Sequence, residues 1–593
     1  MKSLILYRVN GQAEQLVDWS QVNWVKTYKL LRNLQRRIFR ARKLGQWKQL
    51  RRLQKLLLRS YANLLESVRR ITQDNSGKNT PGVDKEVIKT PEDRVKLVND
   101  WVMPKAKPTR RVFIPKSNGK KRPLGIPTVK DRVAQNIVKN LLEPEWEAVF
   151  EPNSYGFRAG RSCHDAIEAA WIRLNNSPAG KHLWVLDADI KGCFDNLAHE
   201  SILDRIKSVP CRDLIKGWMK AGYVYEGIFN PTNTGTPQGG CISPLLSNIG
   251  LHGLEVLVKS HNKKMGIIRY ADDFVITAKS REEIEEIIPR VNQWLSERGL
   301  ELSTEKTKLV HIDEGFNFLG FNVRRYDSKL LIKPQKEKVL AFCKKVGETI
   351  KKMATAKQIS LIRKLNPILR GFANYYQKAV SKDIFSYISH RVWEYLWKWC
   401  KRRHLKKRLR WVKDKYFHTI EGIDWTFCCM TKDRRGNPRI FNLYNIEKTP
   451  IVRHTKIKGT NSPFDAEEAD YWEKRNARMG KTKWAKGSKY DQVATNQNYK
   501  CPNCGLSLFN GEPIETHHIV LVKDGGSDDI ENLTHLHTAC HKQEHSKTKF
   551  KAGSMALCRV LGKLTSTVLR GGASREAQTL PDRGARRYSL PRL

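Results

Sequence analysis

A chain of 593 residues is too long for one hydrophobic core, so three or more domains are expected. Hydrophobic residues make up 40% of it, and 109 Lys plus Arg against 60 Asp plus Glu leave a formal net charge of +49. Such self-repulsion excludes an ordinary solvated surface and calls for a polyanion, whose counterions are released when Lys and Arg neutralise its phosphates. No apolar run reaches the ~18 residues needed to cross a bilayer. The opening MKSLILYRVNG is too short and too soon interrupted for a secretion signal, so no membrane partner and a cytoplasmic location are expected. Most of the twelve cysteines stand singly, as in a reducing compartment; Cys501 and Cys504 are a pair with metal-ligand spacing.

In chain order, residues 24–70 read as two basic amphipathic helices. Leu31, Leu34, Ile38 and Ala41 follow helical spacing, Gly45 interrupts, and Leu50, Leu53, Leu57, Tyr61 and Leu64 resume it. The turn-rich stretch 71–84 marks a boundary. From about 85 to 325, short apolar strands alternate with helices in an α+β pattern. Residues 330–415 return to helix, with Leu361, Leu365, Ile368, Phe372 and Tyr375 at helical spacing. In the following aromatic and basic run, most of Trp393, Trp397 and Trp399 are assigned to packing, and most of Arg402, Arg403, Lys406, Lys407 and Arg408 to RNA phosphate. Segment 430–495 is polar, basic and illegible as a fold. A Cys/His-rich module occupies about 496–548.

Two carboxylate motifs carry the chemistry. WVLDADIKGCFDN (184–196) is an apolar strand ending in Asp189 and Ile190; IIRYADDFVIT (267–277) is a hairpin with Asp272 and Asp273 at its tip. Adjacent acids on a tip beside a third acid from another strand suit two divalent cations, because Mg²⁺ takes carboxylate, phosphate and water oxygens. In that scheme Asp189 and Asp272 bridge the ions, the Ile190 carbonyl adds a ligand and Asp273 completes the site. A lone pair of Asp at a turn is weak, since Asp favours turns for its own hydrogen bonds. Two further segments add weight. RRVFIPKSNGKKRPLGIPTVKDR (110–132) is a basic hairpin that would hold Lys116 and Arg122 over a triphosphate, and TGTPQGGCISPLLSNI (234–249) is a Gly-rich loop opening a helix.

Taken together, IPKSNGKKRPLGIPT, SYGFRAGRSCHDA, GTPQGG and YADD, in this order, resemble the reverse transcriptases, and among them the group II intron type; GFNFLGFNVRR (315–325) resembles their primer grip. The resemblance implies Asp189, Asp272 and Asp273 as polymerase acids, Gln238 near the nascent pair, and Phe194 as the aromatic that crowds a 2′-hydroxyl and selects dNTPs. It also implies Lys306 as a proton donor to pyrophosphate. Asp187 and Asp195 are assigned structural or template-side roles. GFANYY (371–376) resembles the thumb or maturase region, which implies binding of intron RNA and assistance to its splicing.

In the C-terminal module, Cys501, Cys504, His537 and Cys540 form a Cys₃His set suited to a closed structural Zn²⁺ site. The order CPNC, IETHHIV, Asn532, HLHTACHKQEH resembles an HNH nuclease, although His537 stands where relatives often have Cys and His517-His518 replaces a commoner Asp-His. The resemblance implies that His517, His541 and His545 hold one catalytic ion, Mg²⁺ or another divalent cation, with His518 as general base and Asn532 orienting it. The fold class expected is therefore α+β multidomain: polymerase fingers and palm, an α-helical thumb/maturase domain and a small zinc-stabilised ββα-metal domain. The boundaries expected are a basic N-terminal extension (1–84), fingers and palm (85–328), thumb/maturase (329–425), DNA-binding linker (426–495), HNH endonuclease (496–550) and basic tail (551–593). The implied partners are intron RNA, target DNA and dNTPs, met in a bacterial cytoplasm and at the nucleoid. Two rivals stay open here: a splicing cofactor that no longer polymerises, and a reverse transcriptase of another bacterial element.

Overall fold

A computed structural model describes residues 15–115, 119, 121–175, 182–236, 238–420, 422–432, 438–484, 487–510, 512–527 and 529–545. Lys116 and the basic tail lie outside the described residues.

The N-terminal region forms α1 (Trp24–Lys43), α2 (Trp47–Leu58) and α3 (Tyr61–Arg69). Gly45 makes the first break with a φ of 65°, as its position in the pattern predicts. The second helix of the sequence reading is two helices. The Asn63 amide donates to the Leu57 carbonyl at 3.0 Å and to that of Ile137 at 3.2 Å, so α2 ends with its carbonyl satisfied from outside the helix. Strands β1 (Thr109–Pro115) and β2 (Lys121–Ile126) pair antiparallel as the basic fingers hairpin. The palm strand β3 (Trp184–Asp189) follows, and then a short hairpin, β4 (Tyr223–Tyr225) and β5 (Ile228–Asn230), extends the fingers sheet. Three further strands, β6 (Gly266–Tyr270), β7 (Asp273–Ala278) and β8 (Lys308–His311), complete an antiparallel palm sheet of order β6-β7-β3-β8.

Strand alternation divides the molecule into two cores. Leu186 and Ala188 of β3, with Phe274, Ile276 and Ala278 of β7, join α1–α3 and the helix Val129–Glu147. Val185 and Val275, on the opposite face, join the sheet formed by Phe316–Phe318, Phe321–Tyr326 and Lys329–Pro334, and beyond it the thumb helices. Period two therefore turns Asp187, Asp189 and Asp273 toward the side of that sheet and the thumb.

The thumb consists of helices Lys336–Lys352, Gln358–Tyr376, Lys382–Arg403 and Leu409–Tyr416; the helical stretch expected from 330 begins later, because Lys329–Pro334 is a strand paired with Phe321–Tyr326. The Trp assignment agrees with the packing: Trp399 is buried, and Trp393 stacks on Trp397 with centroids 6.3 Å apart and Trp425 edge-on to both. Three of the expected boundaries cut through packed units. The 328/329 division falls in the turn of the Phe321–Tyr326/Lys329–Pro334 hairpin, and 425/426 falls inside strand Ile423–Lys432, the middle of a three-stranded sheet. The 495/496 division cuts helix Lys489–Asn496, whose Tyr490 carbonyl is bonded to His535 of the C-terminal module. Among the described residues no helix is long and apolar enough to cross a membrane.

Candidate active sites and metal sites

The YADD hairpin turns in two residues. Tyr270 and Asp273 are cross-strand partners, and Ala271 between them has a φ of 60°, a left-handed conformation that is costly for any residue but glycine. A cost of this kind is typical of functional turns that the surroundings hold in place. Gly156 of the SYGF motif is part of that hold. A Cβ there would lie 2.4 Å from the Ala271 nitrogen, so the glycine exists to let the two backbones touch.

Asp189 and Asp273 face each other across β3 and β7. Burial first, then hydrogen bonding to Asp189 and the charges of Asp272 and Asp189, push the Asp273 carboxyl up to about 8. Burial also raises Asp272. Lys306 donates to Asp189 Oδ2 at 2.6 Å; burial lowers its ammonium, but Asp189 outweighs that and leaves it raised. The Asp272 carbonyl accepts from the Ile190 amide at 3.3 Å, tying the hairpin tip to the end of β3. Asp187 lies on the same face, pushed up to about 6 by burial and, more weakly, by Asp189 against the pull of Lys308. Asp187, Asp189 and Asp273, but not Asp272, open on a cavity of about 380 Å³ lined also by Lys306, Lys308 and residues Gly315–Leu319. Crowded, half-buried carboxylates beside a single lysine, with Asp187, Asp272 and Asp273 pushed up by burial, suit divalent cations whose charge would offset their repulsion. Their oxygens are nevertheless less tightly gathered than either Cys/His set described below.

Beside them, Arg122 Nε donates to Gln238 Oε1 at 2.9 Å, and Gln238 Nε2 donates to Asp195 Oδ2 at 3.2 Å. The chain of contacts joins the fingers hairpin, the Gly-rich loop and the turn after β3. Two glycines permit it: a Cβ on Gly239 would strike the Gly125 carbonyl at 2.4 Å, and one on Gly235 the Asp195 carbonyl at 2.4 Å. Phe194 is buried next to Asp195 with its ring edge-on to Phe157 at 6.3 Å. The link from Gln238 to Asp195 is not legible in the sequence, which assigns Asp195 only a structural or template-side role.

In the C-terminal module the candidate ligand atoms of Cys501, Cys504, His537 and Cys540 all lie within 4.8 Å of one another, and all four residues are buried. The other nitrogen of His537, Nε2, is 3.0 Å from the Ser507 carbonyl, which orients the ring as a ligand. His517, on strand Ile514–His518, meets His541 and His545 in a second set within 4.8 Å. His541 Nε2 and His545 Nε2 stand 3.0 Å apart, a spacing that brings two potential ligand nitrogens to one point. Glu515, two residues before His517, bonds His541 Nδ1 and takes a hydrogen bond from Thr538. Sequence reasoning missed Glu515; its signal was the same-face i, i+2 relation to His517. His518 ends the strand and lies outside the three-histidine cluster. Asn532 accepts from the Val520 amide at 2.7 Å and donates to the Val520 and Ser527 carbonyls, so its side chain braces the loop that follows His518.

A palm of this topology, with paired acids beneath a basic fingers hairpin and a helical thumb behind, defines a template-directed polymerase. Comparison with known proteins gives the class more closely. The family described as reverse transcriptase (RNA-dependent DNA polymerase) matches residues 114–323, and the N-terminal domain of reverse transcriptase matches 19–101. The group II intron maturase-specific domain matches 339–417, and HNH endonuclease matches 501–547. Protein YkfC of Escherichia coli K12 is 33% identical over 325 residues, covering 47% of this chain and 85% of YkfC. Group II intron-encoded protein LtrA of Lactococcus lactis subsp. cremoris is 30% identical over 380 residues, covering 48% of this chain and 63% of LtrA. A solved telomerase from Candida albicans, in complex with a fragment of telomeric RNA, is 13% identical with a TM-score of 0.30, covering 51% of this chain and 59% of that one; likeness at this level adds no weight. The chain belongs to the group II intron-encoded proteins, and it combines reverse transcriptase, intron maturase and HNH DNA endonuclease domains.

Proposed function

We propose that this protein promotes splicing of its intron RNA, cuts one strand of a target DNA and extends the resulting 3′-hydroxyl with dNTPs on the intron template. The observation that carries the reading is the facing pair Asp189 and Asp273 on the primer-grip side of the palm, with a separate three-histidine set in the C-terminal module. Asp189, Asp272, Asp273 and the Ile190 carbonyl would hold Mg²⁺ at the palm. Bound divalent cations supply stabilisation of the attacking and leaving oxygens in in-line phosphoryl transfer.

The chain's own groups do the rest. Arg122, Lys116 and Gln238 bind and orient the incoming dNTP, and Phe194 crowds the 2′-hydroxyl of an rNTP. Lys306, which bonds Asp189 at 2.6 Å, gives a proton to the departing pyrophosphate. In the nuclease, His517, His541 and His545 would hold a divalent cation, Mg²⁺ or one better suited to imidazole. His518 takes the proton from the attacking water, and Asn532 fixes the loop behind it. Cys501, Cys504, His537 and Cys540 would hold a structural Zn²⁺, whose binding contributes directly to the folding of so small a module. The segment 426–495 is assigned to target DNA. Since the cycle joins an intron transcript to chromosomal DNA, it belongs in a bacterial cytoplasm, at the nucleoid.

The test is extension of a DNA primer on an RNA template with Mg²⁺ and dNTPs, run beside Asp272→Asn and an rNTP control. Template-length cDNA lost in the variant supports the reading. A folded, RNA-binding protein that makes no cDNA would instead be a splicing cofactor.

A further inference from the structure

The HNH module leans on the far end of the polymerase. Cys501, Cys504, Leu508, Leu536 and Cys540 share one apolar cluster with Trp19, Trp24 and Leu31. Gly505 sits against Val25 of α1, and Gln543 donates to the Ser20 carbonyl at 3.4 Å. At the centre of this contact is Arg69, the last residue of α3, whose side chain is 1% exposed. Its Nη2 donates to Cys540 Sγ at 3.0 Å, and its guanidinium lies over the Trp24 ring at 4.6 Å. The Asp74 carboxylate stands 3.7 Å from Nε, while Nε and Nη1 make no hydrogen bond.

A guanidinium is charged at every accessible pH, and burying it is costly unless a counter-charge and acceptor meet it. Asp74 is too distant from it to accept a hydrogen bond. Three thiolates and a neutral imidazole around Zn²⁺ carry a net charge of −1, and a coordinating thiol stays deprotonated. Cys540 also lies on the helical stretch 538–545 that carries His541 and His545, so whatever fixes Cys540 fixes those histidines as well.

We propose that Arg69 is a positioning residue that fastens the nuclease to the polymerase. It pairs with the metal-held thiolate of Cys540, so the HNH module docks on α1 and α3 when its Cys₃His site is loaded and is released when the site is emptied. The inference rests on that site holding zinc, as proposed above.

The experiment uses full-length wild-type protein, Arg69→Met and Arg69→Lys, with zinc content and hydrogen exchange measured before and after a zinc chelator. In the wild type, stripping should speed exchange about tenfold in peptides of α1 and α3 as well as in 501–545. In Arg69→Met, α1 should exchange fast whether or not zinc is present, and Arg69→Lys should restore part of the zinc-dependent difference. A merely structural arginine would lower protection equally in both states and leave the zinc-dependent difference intact, which overturns the proposal. Chelation that exposes 501–545 while α1 and α3 stay protected also overturns it. If Arg69→Met fails to fold, that wild-type comparison decides. Purified protein with a protected 501–545 and no zinc would mean that the site reading itself had failed.

Discussion

The palm and the HNH module both gather metal-binding side chains, but they stand on different foundations. The polymerase acids sit at the end of a four-stranded sheet packed on both faces, with Leu186, Ala188, Phe274 and Ile276 on one side and Val185 and Val275 on the other. Its shape is set by apolar burial, and the acids are attached to it. The nuclease has two strands and a short helix, and Cys501, Cys504 and Cys540 are themselves part of its core. The difference teaches that a ligand residue can be changed without cost to the fold in the first region and not in the second.

The largest effect tests the palm half of that contrast. Asp272→Asn keeps the shape of the side chain and removes its charge from a site where charge development in the transition state must be met. Primer extension should fall by about 10³-fold or more, with strand cutting and the melting temperature unchanged. Cys501→Ser should do the opposite: it should melt 501–545, read by proteolysis, and leave cDNA synthesis on a supplied primer intact. A variant of either kind that removed both activities from a folded protein would break the comparison.

How far each region was legible follows from the same difference. The palm acids stood out because strand alternation and a tight hairpin leave few places for them, and because four motifs occur in order. The Cys/His spacing was equally plain. What could not be read depended on partners distant in sequence. Asp165 of the SCHD segment looks like a helix-capping acid, and it is one, accepting from Ser162. It also receives His454, the Ile457 amide and Arg475 on its other oxygen, from a stretch whose sequence showed no periodicity. The sheet of Phe417–Ile420, Ile423–Lys432 and Pro438–Asn442 was missed although its strands carry Phe417, Phe427, Cys428 and Phe441, because it straddles the expected 425/426 boundary and its packing partners lie in the thumb. Arg69, Glu515 and Asp195 gain their meaning only once the chain is folded.

The Asp165 contact sharpens the comparison because it straps the segment leading to the nuclease onto the palm. Burial works against its charge, yet the hydrogen bond and charge of His454, followed by Arg475, hold its carboxyl at about 2. Asp165→Ala would leave Arg475 and His454, both largely buried, without their shared carboxylate. A loss of about 3–5 kcal/mol is expected in chemical denaturation. An unchanged midpoint would mean that the segment is held by its apolar contacts alone.

Acid should act on the palm independently of zinc. His182 is buried against Thr277, with Nδ1 2.6 Å from Oγ1, and burial followed by the charge of Arg173 pushes it down to about 4. A histidine held neutral in the fold stabilises it fully above its unfolded value of about 6.5, and that contribution is lost as pH falls toward 4. The loss is at most about 3 kcal/mol, since some solvent screening remains. Melting of chelator-treated protein should therefore drop between pH 7 and pH 5, and His182→Gln should flatten the drop. An equal slope in the variant would assign the acid sensitivity elsewhere.

The smallest effect probes the nuclease from just outside its ligands. Glu515 holds His541 Nδ1 and is itself steadied by Thr538, so it fixes the ring's orientation and favours the tautomer that offers Nε2 toward His517 and His545. Removing such a carboxylate commonly costs 10–100-fold in metal affinity or activity. Glu515→Gln keeps the size and one acceptor oxygen but removes the charge, so DNA cutting should need about tenfold more divalent cation, with its rate at saturation largely retained. The Cys₃His site should keep its zinc, because the side-chain partners of Glu515, Thr538 and His541, are not among its ligands. If the variant lost zinc as well, the two sites of the module would be one cooperative unit, and its foundation would be narrower than the contrast with the palm allows.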